Sequence, residues 1–286
     1  MNLNLTTAGR LNECLLLSYR APAESVRHLV PRGLDLVTRG GFAFWNVVAC
    51  TVGNMRPAWM PTCCGVSYHH VAYRLHVQAR TATGDGTLRG LYFVRSDADS
   101  ALIGRLGNWF TDFRFHPARV ELSNRSGVLT VAVQGGGEVP DPRDGEPAGD
   151  LGDAIARVSV DGNINAAAAA TLSPGSPFAS AAEAERVLRY APLGMSVDLD
   201  GRYVKLAEVI RDEAAWSERP VRVLESHFRF FDALGLSRSD VELERATRVA
   251  PIEYRWRLGR RAVLATAPQA PASGTIAPPH PARAAA

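Results

Sequence analysis

Residues 42–52, FAFWNVVACTV, limit the fold of this chain more than any other stretch. Nearly every side chain in it is apolar or β-branched, and no polar position recurs with a period of two, so neither face is written for water. Such a run suits a strand covered on both sides. Residues 67–79 form a second long strand of another kind, with Val71, Tyr73, Leu75 and Val77 on one side and Tyr68, His70, Ala72, Arg74 and His76 on the other, because side chains alternate along a strand. Further strand-period segments follow at 127–134, 194–199, 202–211, 221–231 and 252–258, separated by glycine-bearing or acidic turns. No sustained alternation of strand and helix links them. The pattern therefore predicts an α+β, mainly antiparallel β chain, with a closed or highly curved, β-barrel-like sheet and two or three short helices.

The clearest helix lies at 98–110, where Ala101, Leu102, Leu106, Trp109 and Phe110 repeat at helical spacing, Ser96 and Asp97 offer capping oxygens, and Arg105 and Asn108 are left for solvent. Ser180 to Glu183 reads as a capping box for a second helix bearing Val187 and Leu188. Residues 54–65 carry Met55, Trp59, Met60 and the prolines Pro57 and Pro61 without a period, which predicts a loop whose large side chains pack on the core or else line a pocket. Residues 135–153 read as an exposed loop rich in glycine, proline and acid. One domain is expected over 11–261, then an Ala- and Pro-rich disordered tail over 262–286.

Composition excludes several functions. Of 32 basic side chains only Lys205 is a lysine, net charge is +3, and the arginines are scattered, which gives nucleic-acid binding little support. Cys14, Cys50, Cys63 and Cys64 show no paired C-x-x-C spacing, so reduced thiols and no metal site are expected. No leader-like segment and no run near the ~20 apolar residues of a membrane helix is visible, so a cytoplasmic protein without a membrane partner is expected.

Three stretches carry a resemblance. GLYFVRSDADSALIGRLG with FRFHPARV, CLLLSYRAPAESVRHLVPRGLDL near the start, and PVRVLESHFRFFDALGLS with APIEYRWRLGR near the end resemble the acetoacetate decarboxylase-like superfamily, in its branch of unknown function. The resemblance implies a β-barrel-like fold, a small-molecule ligand and, since the superfamily is multimeric, a homo-oligomer. The imine-forming lysine of that superfamily would fall where this chain reads Asp112-Phe113-Arg114-Phe115-His116. No lysine stands there, and a guanidinium cannot form an imine.

Candidate site residues follow from strand alternation. A strand starting at Phe113 would place Arg114 and His116 on one face about 6.6 Å apart, able to clamp a carboxylate and move a proton, or simply to face water. In 221–231, Glu225 could orient His227 as an acid or base, or the two could be a surface pair. Arg74 and His70 would bind ligand if their face lines a barrel, and would otherwise form a polar outer face. Lys205, on a mostly apolar face, is the only side-chain amine available as a nucleophile, or else a strand-edge ammonium in water. The expected function is binding of an anionic or keto small molecule, with no cofactor and no established catalysis. The alternative is a lyase or hydratase using His116 or His227 as acid/base and Arg114 as clamp.

Overall fold

The computed structural model describes residues 5–82, 86–135, 156–161, 172–189 and 191–265. Its strands are β1 (Thr6–Pro22), β2 (Asp35–Leu36), β3 (Thr38–Arg39), β4 (Phe42–Pro57), β5 (Val66–Arg80), β6 (Thr87–Ala98), β7 (Phe115–Arg125) and β8 (Val128–Gly135). Then come β9 (Ala156–Asp161), β10 (Leu193–Val197), β11 (Tyr203–Arg211), β12 (Glu218–Pro220), β13 (Arg222–Phe228), β14 (Glu242–Val249) and β15 (Ile252–Val263). The helices are α1 (Ala23–Val26), α2 (Ala101–Phe110), α3 (Ala181–Leu188) and α4 (Arg229–Ala233).

Seven strands close into a ring in the order β1, β4, β5, β6, β10, β11, β15 and back to β1. Most pairings are antiparallel, as expected, but β6 pairs in parallel with both β10 and β7, so the sheet is mixed. From β6 the sheet branches through β7 into β8, β9 and β13, a second layer on the outside of the ring. The two layers bury one core between them, in which Trp45 and Tyr73 of the ring meet Phe230 and Phe231 of α4. Trp45 and Tyr73 have no exposed surface, and truncating a large aromatic so buried costs about 3–5 kcal/mol. The run 43–50 is buried on both faces for this reason: one face meets the outer layer and the other the inside of the ring.

Several local expectations change. Ser96 and Asp97 lie buried in β6, and the cap of α2 is Ser100, whose hydroxyl accepts from the Ile103 N–H at 3.4 Å. Asn108 is not left to solvent, because its amide bonds both backbone groups of Phe115. The strand expected over 221–231 stops at Phe228 and turns into α4. β1 starts at Thr6, and β15 runs to Val263, with Leu264 buried and bridged to Thr81. Nearly all of the 135–153 loop and of the tail lie outside the described residues. No helix among the described residues is long and apolar enough to cross a membrane.

Candidate ligand cavity inside the ring

Strand alternation decides what the ring holds. On β5, Tyr68, His70 and Arg74 point inward, while Val71, Tyr73 and Leu75 point to the outer layer. Inward side chains of β4 (Val48, Cys50, Val52) and of β15 (Tyr254, Trp256, Leu258) face them. Six of the seven ring strands contribute to the lining, which places this cavity of about 370 Å³ inside the ring.

Helix α2 lies over its mouth. Leu102, Ile103, Leu106 and Phe110 line the rim and remain partly exposed, so the apolar stripe that usually seats a helix on a core here faces an opening. Met60 and Cys64, from the loop after β4, complete the rim, whereas Trp59 in that loop is 80% exposed rather than packed. Two devices fix the helix to Phe115, the first residue of β7, which pairs with β6 of the ring. Asn108 donates to the Phe115 carbonyl at 2.8 Å and accepts from its N–H at 2.7 Å. Gly107 comes so close to Phe115 that a Cβ there would lie 2.4 Å from the ring carbons. Between them, residues 111–114 dip into the ring, and Phe113 stacks on Phe93 with centroids 3.9 Å apart.

The cavity wall is mostly apolar, and its charged members, Arg56, Arg74 and Arg211, are all arginines. Arg74 is 2% exposed, hydrogen-bonded to the Asn46 side chain and laid over Phe93 at 5.4 Å. Its charge and the low dielectric act on its neighbours. Burial, then Arg74, lowers His70 to about 3, and the same two causes lower His76 to about 4. Burial pushes the Cys50 thiol up to about 12, and burial and Cys50 also raise Cys14 well above the usual thiol range. At neutral pH these imidazoles and thiols are therefore uncharged. The His70 ring stacks on Phe115, and its Nε2 is buried without a hydrogen-bond partner among the described residues. Cys14, Cys50 and His70 stand side by side across β1, β4 and β5, but no group of three such ligands among the described residues converges on a metal position.

A second cavity of about 440 Å³ adjoins the first, and Phe110, Thr111 and Phe113 line both. It holds Lys205, whose Nζ donates to Asp112 Oδ2 at 2.7 Å; the same oxygen accepts from Ser196 Oγ at 2.7 Å.

The structure separates the residues the sequence grouped. Arg74 and His70 line the ring cavity, and Lys205 lies in the adjoining one. Arg114 and His116 do not share a strand face: β7 begins only at Phe115, and Arg114 has φ +53°. Arg114 instead lies over Tyr92 at 5.5 Å, and His116 sits on the face of β7 opposite Phe115, beside Asp97 of β6. Neither lines the ring cavity. Glu225 and His227 are exposed on the outer layer, with His227 Nε2 3.8 Å from Asp232. Cys14, Cys50, Asp112 and Phe113 escaped sequence reasoning, since only strand pairing and the inward path of 111–114 bring them to the cavities.

Comparison with known proteins agrees with this architecture. The family model described as an uncharacterized conserved protein, DUF2071, matches residues 9–243. An acetoacetate decarboxylase-like enzyme from Sphingomonas wittichii RW1 superposes with TM-score 0.51 at 14% identity, covering 91% of this chain and 93% of its own. Acetoacetate decarboxylase from Legionella pneumophila gives TM-score 0.53 at 13% identity, covering 92% and 90%. The enduracididine biosynthesis enzyme MppR, solved with pyruvate, gives 0.51 at 12% identity, covering 92% and 90%. A search of curated proteins finds no match. The chain thus belongs to the DUF2071 family of uncharacterized conserved proteins, with an acetoacetate decarboxylase-like fold.

Proposed function

We propose that the protein binds a small, largely apolar molecule inside the ring, with a carbonyl or carboxylate group turned toward Arg74 and His70. One observation carries the reading: the charged residues lining the cavity are arginines alone, while the imidazole and thiols beside Arg74 are held neutral. Dry walls strengthen the field of a guanidinium, and a carbonyl or carboxylate oxygen is the partner such a field favours. The cavity size falls within the range of small-molecule sites. A structural neighbour that holds pyruvate supports the ligand class. Arg74 takes the anchoring role that sequence reasoning assigned to Arg114.

Thermal-shift and calorimetric titration with 2- and 3-keto acids and with aromatic and aliphatic carboxylates tests this. A ligand that stabilises the wild type should bind Arg74→Met about 10- to 100-fold more weakly, the scale of a charge-assisted hydrogen bond. Val48→Phe, which fills the cavity and keeps the Arg74 guanidinium, should also weaken it. Undiminished affinity in both variants would refute the site.

A further inference from the structure

The second cavity contains an arrangement that ligand binding in the first does not require. The registers of β10, β11 and β15 place Ser196, Lys205 and Arg261 directly beside one another on three adjacent strands. All three line the cavity, so a hydroxyl, an ammonium and a guanidinium form a row of donors along one wall. Like charges directly opposite across a strand pair repel, and Lys205 and Arg261 are such a pair. Arg260, the neighbour of Arg261 on β15, turns to the other face of the sheet, where it pairs with Glu208 at 3.3 Å.

Against these cations the lining holds one carboxylate, Asp112. Its Oδ2 sits between the first two donors, 2.7 Å from each. The chain thus already seats an oxyanion of its own at Ser196 and Lys205, which shows that the row accepts one. Arg261, the next donor, is exposed and makes no ion pair with a described residue. Leu5, Phe110, Phe113 and Leu258 line both cavities, so apolar side chains lie between the cationic row and the ring interior.

We propose that this second cavity is an oxyanion subsite, in which Arg261 and Lys205 hold the phosphate or carboxylate head of an amphipathic molecule whose apolar body reaches past Phe113 into the ring. The proposal rests on the reading of the ring cavity as a ligand site, and it specifies the ligand further: an apolar chain or ring bearing an oxyanion at the end away from Arg74. Free inorganic oxyanions share the head-group chemistry but not the apolar body.

Two measurements test it. In the first, millimolar inorganic phosphate is added to the full chain and melting is followed; phosphate should raise Tm for wild type and Arg74→Met, and not for Arg261→Gln or Lys205→Met. In the second, a neutral naphthylamine dye bound in the ring is displaced with octyl phosphate and with octanol. Octyl phosphate should act at about tenfold lower concentration than octanol on wild type, and the ratio should fall to near one in Arg261→Gln while dye affinity is unchanged. A ratio that survives in Arg261→Gln and Lys205→Met, or a wild-type Tm indifferent to phosphate, overturns the subsite. Displacement by phosphate-bearing and neutral chains alike, with a phosphate-dependent Tm, would reduce the site to one for free oxyanions and overturn the amphipathic ligand. A dye that never binds, with the phosphate response intact, would instead strike at the ring cavity and, with it, the amphipathic form of the proposal.

Discussion

Replacing His70 with phenylalanine tests the electrostatics of the cavity through stability alone. In the folded chain His70 titrates at about 3 and His76 at about 4, each lowered from 6.5 first by burial and then by Arg74. Well above pH 6.5 both imidazoles are neutral folded or unfolded, and they contribute almost nothing to pH dependence. Below it the unfolded chain takes up protons that the folded chain refuses, so stability falls with pH. At pH 5 the difference spans about 1.5 pH units, or about 2 kcal/mol for each histidine. Asp97 acts in the opposite sense: burial, only partly offset by Arg95, raises it from 3.8 to about 6, so the folded chain takes up its proton first. That returns about 1 kcal/mol at pH 5, and the three groups together cost about 3 kcal/mol between pH 7.5 and pH 5. His70→Phe keeps a ring to stack on Phe115 and removes one of the two titrations. Urea unfolding at both pH values should then show the loss reduced by about 2 kcal/mol relative to wild type. Equal losses in the two proteins would refute the reasoning, because they would mean that the imidazole takes up a proton as readily inside the ring as in the unfolded chain.

Two further outcomes follow. Gly107→Ala should destabilise by about 1–3 kcal/mol, because its methyl would overlap the Phe115 ring, whereas Gly104→Ala, where a Cβ meets nothing nearer than 4.0 Å, should be neutral or slightly stabilising in the same thermal melts. Borohydride added with pyruvate should leave the intact mass unchanged: the chain's single lysine is an ammonium bound to Asp112, and an amine so held is a poor nucleophile. A reduced adduct that disappears in Lys205→Ala would contradict this.

Strand periodicity made the ring legible. The doubly apolar run at 42–52 and the alternating run at 67–79 are neighbours in the ring, and inward-facing His70 and Arg74 were assigned to one face by counting alone. Counting failed where the backbone leaves its regular path. Arg114 takes a left-handed conformation just before β7, which breaks the alternation that would have paired it with His116. Register shifts do the same elsewhere, as between Val223 and Glu225. Cap positions were misplaced because Ser96 and Asp97 have capping chemistry but belong to a buried strand, and the helix waits for Ser100. Asp112 meets Ser196 and Lys205 from 84 and 93 positions away, and no local pattern encodes such a meeting.

Closure of the ring sets an order on biosynthesis. β1 borders both β15 and β14, Thr6 opposite Arg257 and Cys14 opposite Val249, so one edge of β1 stays without its partners until residues 242–257 have left the ribosome. At about 5–20 residues per second this leaves an unpaired edge for roughly 10–50 s. Nascent chains stalled before residue 242 should therefore expose a strand edge that full-length chains hide, and contacts this distant in sequence make folding slow even after release.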